Sequence, residues 1–293
     1  MAESNSSGHG LTTPPPMSPC WLLDFPVEHV LLVVLNNPKS LNCLTTDDHW
    51  SLDALFQWYD NEPSLRCCVV TGQGRAFCAG ADLKEWDRSN SRVSKGGPGL
   101  KVMPQSGFAG LSRRGGKKPI IGAVNGLAYG GGMEMVANLD LVVASKSATF
   151  ALPEVKRGVA AIAGSLPRLM RIVGRARAMD MALTGRAVTA QDAQEWGVIN
   201  SVTEDAPADA KVTSRPVVKK AMEYAKVICD NSPDSIIVTR AGLVSAWEDG
   251  SVEHATTAVM EIWQRRLNQG ENIHEGVRAF VEKRSPKWVG SRL

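Results

Sequence analysis

The 293-residue chain lacks the features that define several classes of protein. No apolar run approaches the ~20 residues that a membrane-spanning helix needs, so the sequence predicts no membrane span. The net charge is +3, from 33 basic and 30 acidic residues. This basic excess is too small to indicate a nucleic-acid-binding protein. The length is sufficient for a large hydrophobic core.

Cysteine and histidine are few and form no metal-binding pattern. The chain contains no Cys-x-x-Cys pair, and its five histidines are scattered. The six cysteines are Cys20, Cys43, Cys67, Cys68, Cys78 and Cys229. We therefore predict no metal site, and we expect the cysteines to be reduced and mostly buried.

A glycine triplet at residues 130–132 lies between an apolar run, 119–124, and a helix-compatible stretch that begins at Met133. It lacks the Lys-Ser/Thr of a Walker loop and the spacing of a dinucleotide loop. Glycines at a helix start expose unpaired N–H groups at the positive end of the helix dipole, which favours an anion. A tight turn or a close packing site is the alternative interpretation.

A second loop of this kind, at residues 74–84, follows the apolar run 65–70. If the two loops converge, two backbone N–H groups can stabilise one developing oxyanion. Glu134 follows the glycine triplet, and Glu154 follows another apolar run, 139–144. Two carboxyl groups beside such a site indicate acid/base chemistry, although each alone is equally consistent with a solvated residue at a helix start.

The order of these segments resembles the enoyl-CoA hydratase/isomerase (crotonase) superfamily over about residues 27–290. The matching segments are residues 37–42, 79–84, 125–134, 153–154, 184–186, 196–200 and 276–284. The resemblance implies an α/β fold, with a crotonase-like ββα spiral core and a C-terminal helical region for oligomerisation. We expect a disordered tail at residues 1–20, the spiral core with the acyl-CoA site at 21–205, and trimer-forming helices at 206–293.

The resemblance also implies site residues. The N–H groups of Ala81 and Gly131 would form the oxyanion hole for a thioester carbonyl. Glu134 would activate water for attack at C3, and Glu154 would deliver or remove the proton at C2. The residues implied for CoA binding are Lys39, Ser40, Leu41, Ala79, Asp82 and Leu83, with Phe280 and Lys283 reaching the nucleotide end of a CoA held by a neighbouring subunit.

Residues 88–118 are rich in glycine, serine and basic side chains, and we predict a mobile loop over the acyl site. Its charged residues are Lys95, Lys101, Arg113, Arg114, Lys117 and Lys118. Contact with CoA phosphates and simple solvation are both open for these side chains.

Because both family positions carry glutamate, the resemblance implies a hydro-lyase: reversible hydration of 2-enoyl-CoA or dehydration of 3-hydroxyacyl-CoA. No cofactor is expected, since CoA is part of the substrate. Straight-chain β-oxidation intermediates are the default. The alternatives are double-bond isomerisation, dehydration of a branched acid such as mevalonyl-CoA for siderophores in fungal peroxisomes, and a non-catalytic RNA-binding relative. Ile162 and Pro167 replace the family's glycine- and proline-rich turn, which leaves the acyl group open.

Two further expectations concern assembly and location. Relatives form homotrimers, usually paired into hexamers, so we expect one of these states. The sequence ends in Ser291-Arg292-Leu293, which resembles the Ser-Lys-Leu peroxisomal address read by an import receptor. The N-terminal residues lack the apolar region of a secretory signal. We therefore expect a peroxisomal protein, with the cytoplasm as the alternative.

Overall fold

The computed structural model of the protein describes residues 10–99 and 101–293. The strands are β1 (Trp21–Val27), β2 (Val30–Leu35), β3 (Cys67–Gly72), β4 (Ala76–Cys78), β5 (Ile120–Val124), β6 (Leu127–Tyr129), β7 (Leu141–Ser145), β8 (Thr149–Ala151), β9 (Val188–Thr189) and β10 (Ser201–Thr203). The helices are α1 (Thr46–Asn61), α2 (Leu83–Val93), α3 (Gly131–Val136), α4 (Ser165–Thr184), α5 (Ala190–Glu195), α6 (Pro216–Cys229), α7 (Pro233–Glu248), α8 (Val252–Val259), α9 (Arg265–Asn268) and α10 (Glu271–Val281).

The described strands form two sheets, one of six strands and one of four. The larger has the order β1-β2-β3-β5-β7-β10, and all of its neighbours are parallel except β1 and β2. The smaller has the order β4-β6-β8-β9, in which β4, β6 and β8 are parallel. Consecutive strands from β3 to β8 alternate between the sheets, so each winding of the chain adds one strand to both. This is the ββα spiral that the sequence predicts.

The large sheet is covered on both faces, which explains why its strands are apolar throughout. Every residue of β2 and of β3 is buried. One face packs with Phe56 and Tyr59 of α1 in the main core. The other face packs with Val217, Val218 and Ala221 of α6. The first C-terminal helix therefore belongs to the packing of the spiral core.

Helix α1 begins at a capping box that Thr45 forms with Asp48. The apolar run from Val27 to Leu35 does not form a single strand. Residues Trp21–Val27 form a separate antiparallel strand, and His29 turns the chain with a φ of 65°. The hydrophobic alternation across this turn concealed the hairpin. Within the described residues, no helix is both long and apolar enough to cross a bilayer.

The predicted N-terminal tail is wrong in part. Residues 1–9 lie outside the described residues, but residues 10–20 pack on the core. The N–H and Oγ1 of Thr12 donate to Glu62 Oε2 at 2.9 and 2.8 Å, and the N–H of Thr13 donates to the same oxygen at 3.1 Å. These bonds and others from Ser64 lower the pKa of Glu62, against the effect of its burial. Its buried carboxylate thus anchors a segment whose composition indicated disorder.

The prediction of a mobile loop at residues 88–118 is also wrong in part. Helix α2 continues to Val93, and the 3₁₀ turn Phe108–Gly110 is buried. Lys118 donates from Nζ to the carbonyls of Tyr59 and Glu62 at 3.0 and 2.6 Å, and burial lowers its pKa to about 8. Arg114 is buried beside Asp60, with Nη2 2.5 Å from Oδ1. These two cations stabilise the fold and are not available to CoA phosphates.

A buried ion pair attaches α7 to the core. Arg240 donates from Nε to Asp140 Oδ1 at 2.7 Å and from Nη1 to the carbonyls of Gly115 and Gly116 at 2.6 and 2.8 Å. Asp140 Oδ2 accepts from the N–H of Ile120 at 2.8 Å. One guanidinium group thus links α7, the segment before β5 and the start of β7.

Replacement of Arg240 by methionine is expected to lower the free energy of unfolding by about 3 kcal/mol. The change leaves the Asp140 carboxylate and two carbonyl groups without their cation. Urea denaturation monitored by circular dichroism measures the loss. Arg186→Met is the matched control, because Arg186 pairs with Asp180 on the surface, where ion pairs contribute little. Equal stability of the two variants would contradict the role of Arg240.

Candidate active site

Three loops meet at one edge of the small sheet. Because β4, β6 and β8 are parallel neighbours, the residues that follow their carboxyl ends lie side by side. These residues are 79–81, 130–131 and 153–154. The sequence predicted all three as site segments, and the sheet brings them together. Ligands of α/β sheets characteristically bind at this end of the strands.

The first two loops are in contact at their glycines. Gly80 has a φ of 97°, and a Cβ there would lie 3.2 Å from the nitrogen of Gly131. A Cβ on Gly131 would lie 2.4 Å from the Phe108 ring, and one on Gly132 would lie 2.2 Å from the Cys78 carbonyl oxygen. The glycine triplet is therefore both a close packing site and a means of bringing backbone N–H groups together.

The N–H groups of Ala81 and Gly131 have no acceptor within the described residues. In the bridge between residues 44 and 81, the Leu44 N–H donates to the Gly80 carbonyl at 3.0 Å, and the Asp82 N–H donates to the Leu44 carbonyl at 2.9 Å. This parallel pattern directs the Ala81 N–H away from Leu44. Gly131 is the first residue of α3, where an N–H has no partner within the helix. Both residues line the same cavity, as an oxyanion hole requires.

Glu134 lies in the first turn of α3 and is only 4% exposed. Its Oε1 accepts from Ser165 Oγ at 3.0 Å and more weakly from the Ser165 N–H at 3.4 Å. Burial raises the pKa of Glu134, and these bonds from Ser165 lower it. Ser165 therefore holds the carboxyl group in place and favours its ionised form.

Glu154 follows β8 in the 3₁₀ turn Pro153–Arg157. Its Oε2 is buried and has no hydrogen-bond partner within the described residues. Burial raises the pKa of Glu154 to about 7, and the nearby charge of Glu134 adds to the increase. Two carboxyl groups with different hydrogen bonding thus line one cavity. Such a difference allows one group to act as an acid while the other acts as a base.

The cavity has a volume of about 550 Å³ and is mainly apolar. The residues that line it are Ala79, Gly80, Ala81, Leu83, Trp86, Met103, Phe108, Tyr129, Gly130, Gly131, Glu134, Pro153, Glu154, Arg157, Val159, Ala160, Ile162 and Ala163. Apolar walls strengthen electrostatic interactions inside the cavity. The arrangement can polarise a carbonyl group and transfer protons at the adjacent carbon atoms.

The residues predicted to bind CoA divide into two groups. Lys39 and Ser40 lie in the exposed 3₁₀ turn Pro38–Ser40, and the Leu41 carbonyl accepts from the Ala79 N–H at 2.9 Å, which places this turn beside the cavity. Leu83 lines the cavity, whereas the Asp82 carboxylate caps α2. The second group, Phe280 and Lys283, lies at the end of α10 and does not line the cavity of its own chain.

Three residues of the site were missed from the sequence. Ser165 lies in the segment where the chain departs from the family pattern, and no spacing rule connects it to Glu134. Arg157 follows Glu154 by three positions, and this spacing is informative only once a 3₁₀ turn is known there. Phe108 lies in the segment predicted to be mobile and instead packs against Gly131. Only the folded arrangement identifies the contacts of Ser165 with Glu134 and of Phe108 with Gly131, because each joins segments that are distant in sequence.

Comparison with known proteins agrees with this geometry. The sequence model of the enoyl-CoA hydratase/isomerase family matches residues 27–291. The chain is 48% identical to the mevalonyl-coenzyme A hydratase of Aspergillus fumigatus over 272 residues, which cover 93% of this chain and 96% of that protein. It is 50% identical to the mevalonyl-coenzyme A hydratase of Beauveria bassiana over 274 residues, 92% and 95% of the two chains.

The fold is also similar to that of a solved structure. The enoyl-CoA hydratase of Mycobacterium tuberculosis H37Rv superposes with a TM-score of 0.80 at 30% identity, covering 94% of this chain and 100% of that one. The chain belongs to the enoyl-CoA hydratase/isomerase family. It is an enzyme of the hydro-lyase type, which confirms the family resemblance inferred from the motifs.

Replacement of Ser165 by alanine is expected to raise the pKa of Glu134 further, because it removes the hydrogen bonds that favour the ionised carboxylate and leaves the effect of burial. If Glu134 must be ionised to act as a base, the acidic limb of kcat/KM for hydration of crotonyl-CoA moves to higher pH.

The control variant is Ser201→Ala, which removes a buried hydroxyl that has no partner within the described residues. It should leave the pH profile unchanged. A profile of Ser165→Ala that coincides with that of the wild-type protein would show that Ser165 does not control the protonation of Glu134.

Proposed function

We propose that the enzyme catalyses reversible hydration and dehydration at C2–C3 of CoA thioesters, with Glu134 and Glu154 as the proton-transfer groups. One observation carries the proposal: the buried carboxyl group of Glu134 and the half-buried one of Glu154 line the same cavity as two backbone N–H groups that have no acceptor within the described residues. A binding protein would not require this combination. A hydro-lyase requires both an oxyanion site and an acid/base pair.

The N–H groups of Ala81 and Gly131 act on the thioester carbonyl. A proton on C2 is too weakly acidic for a carboxylate to remove unless the enolate-like oxygen is stabilised. Each donor of an oxyanion hole contributes about 2.7–4 kcal/mol to transition-state stabilisation. The contact between Gly80 and Gly131 fixes both donors before substrate arrives, so the protein does not reorganise during the reaction.

The two glutamates have different roles because their surroundings differ. The bonds from Ser165 favour ionised Glu134, which is suited to take a proton from water that attacks C3. The pKa of about 7 for Glu154 allows this group to donate a proton to C2 or remove one near neutral pH. In dehydration the roles reverse: Glu154 removes the C2 proton, and Glu134 protonates the departing hydroxyl group.

The proposed substrate is a branched 3-hydroxyacyl-CoA of the mevalonyl class. Two relatives with identities of 48% and 50% carry the name mevalonyl-coenzyme A hydratase and match almost the whole chain. The cavity wall near Glu134 combines small side chains, Ala160 and Ala163, with Ile162 at its exposed rim. This shape leaves space for a methyl branch at C3. Straight-chain β-oxidation intermediates are the alternative substrates.

Replacement of either glutamate by glutamine is expected to lower kcat by about 10²–10⁴-fold, because the amide keeps the shape but cannot transfer the proton. Binding of the CoA thioester should change little, since most contacts remain. Steady-state kinetics with crotonyl-CoA and isothermal titration with a non-reactive acyl-CoA measure the two quantities.

Glu195→Gln is the control, since Glu195 is exposed on α5 and distant from the cavity lining. The Glu134→Gln/Glu154→Gln double variant should lose much less than the product of the single losses, because the groups act as a unit. If either single variant hydrates crotonyl-CoA at the wild-type rate, the mechanism with two proton-transfer glutamates is wrong, and one carboxyl group suffices.

The oligomeric state and the nucleotide site form a linked proposal. Helix α10 carries exposed Val277, Phe280 and Val281, which supports its use in an interface between subunits. In a homotrimer or hexamer, Phe280 and Lys283 would contact the nucleotide of a CoA bound to the neighbouring subunit. Their distance from the cavity of their own chain is compatible with this arrangement.

The proposed location is the peroxisome, through the address Ser291-Arg292-Leu293. In the folded chain this tripeptide lies against the surface. Lys117 Nζ donates to the Leu293 carbonyl at 2.8 Å, and Arg292 pairs with Glu271 at 2.8 Å. Such single contacts at a surface are weak enough to be exchanged for a receptor.

Deletion of residues 291–293 is expected to move an N-terminally tagged fluorescent fusion from puncta that coincide with a peroxisomal marker to the cytosol, because an import receptor reads a free C-terminal address. The control variant is Lys117→Ala, which removes the contact to Leu293 and keeps the address. Puncta that persist after the deletion would contradict the proposed location.

A further inference from the structure

Arg157 is the single cationic side chain among the described residues that line the cavity. The remaining charged residues there are Glu134 and Glu154, and the walls around them are mainly apolar. Arg157 is exposed at the rim of the cavity. The proposed acid/base steps at C2 and C3 do not use Arg157. A contact with a part of the substrate beyond these carbons would therefore give this side chain a role.

The local backbone places Arg157 on the same side as Glu154. Both belong to the 3₁₀ turn Pro153–Arg157, in which side chains three positions apart lie one above the other. The intervening residues point to the opposite side. Val155 Cγ2 and Lys156 Cε lie 3.3 and 3.1 Å from the position that a Cβ on Gly185 would occupy. The turn therefore presents Glu154 and Arg157 together to the cavity.

Among the described residues, the guanidinium group of Arg157 makes a single hydrogen bond. It carries five N–H donors. One of them, at Nη1, donates to the Lys156 carbonyl at 3.2 Å. Within the described residues, no carboxylate lies within ion-pair distance of Arg157. Its remaining donors are therefore available to an oxygen atom of a ligand.

The positions of the other groups indicate which part of the ligand this is. Ala81 and Gly131 bind the thioester carbonyl at C1 of the acyl group. The turn Pro38–Ser40, which is proposed to bind CoA, is joined to Ala79 through the bond to the Leu41 carbonyl. Glu154 acts at C2 and Glu134 at C3 in the proposed mechanism. Arg157 follows Glu154 by three residues, about 6 Å along the 3₁₀ axis. Arg157 thus lies one 3₁₀ turn from the group that acts at C2, and it does not belong to the turn that is joined to Ala79.

We propose that Arg157 binds an oxygen atom at the far end of the acyl group, namely the C5 hydroxyl of a mevalonyl-type substrate, and so makes the enzyme selective for a polar branched acid. This inference rests on the proposed function and defines its substrate class further. A hydroxyl group accepts a hydrogen bond from guanidinium, and a site that binds such a group rejects analogues without it. Arg157 is a specificity residue and takes no part in proton transfer.

The test compares two thioesters with the same carbon skeleton: mevalonyl-CoA and 3-hydroxy-3-methylpentanoyl-CoA, which lacks the C5 hydroxyl. For Arg157→Leu, kcat/KM of dehydration is expected to fall about 10- to 100-fold with mevalonyl-CoA, the range expected for a hydrogen bond to a charged group. With 3-hydroxy-3-methylpentanoyl-CoA and crotonyl-CoA it should change less than about threefold. Arg157→Lys should recover part of the loss.

Lys156→Leu is the matched control, since it removes a neighbouring cation that faces away from the cavity. Equal losses with both branched thioesters would overturn the inference, because Arg157 would then contact the CoA portion or only support the turn. Unchanged kinetics with mevalonyl-CoA would overturn it as well.

The failure of the proposed function is distinguishable from the failure of this inference. If the wild-type enzyme hydrates crotonyl-CoA but does not discriminate between the two branched thioesters, the hydro-lyase assignment stands and the role of Arg157 is wrong. If no thioester is converted, the proposed function fails. Dissociation constants of the two branched thioesters for wild-type and Arg157→Leu protein then decide whether the C5 hydroxyl is bound by Arg157.

Discussion

The close approach of two strand-end loops is the constraint on which the rest of the site depends. Gly80 and Gly131 are so close that a side chain at Gly80 would press on the Gly131 nitrogen. The Ala81 and Gly131 N–H groups at this contact have no acceptors within the described residues. Backbone donors that are held by packing cannot rotate toward each other or toward the sheet. They are therefore ready for an anionic oxygen before substrate binds.

The packing of these loops also determines the pKa values of the two glutamates. The parallel pairing of β4, β6 and β8 brings the loops to one edge, and Phe108 covers Gly131 from the side. The resulting apolar cavity raises the pKa of both glutamates, and Ser165 partly reverses this effect for Glu134. The difference between two chemically identical side chains thus originates in α4, which supplies Ser165.

The sequence predicted much of this arrangement because the relevant signals are local. The glycine triplet before Glu134 marks a strand that leads into a helix, and the loop at residues 74–84 follows another apolar run. Both signals depend on a few neighbouring residues. The family resemblance added the convergence of the loops, which no local pattern contains.

The remaining features could not be predicted because they depend on contacts between distant segments. The composition of residues 10–19 indicated disorder, yet Thr12 binds Glu62, 50 positions away. Arg114 and Lys118 appeared to be solvated charges, but α1 provides carbonyl groups and a carboxylate that permit their burial. The position of Arg157 at the cavity follows from the packing of Val155 and Lys156 against Gly185.

Isotope incorporation tests the central claim most directly. The wild-type enzyme is incubated with crotonyl-CoA in water enriched in ¹⁸O, and separately in D₂O, and the products are analysed by mass spectrometry. The account predicts one ¹⁸O atom in the hydroxyl group at C3 and one deuterium at C2 of 3-hydroxybutyryl-CoA. Deuterium at C2 or C4 without ¹⁸O in any product would contradict it, since proton transfer would then occur without addition of water.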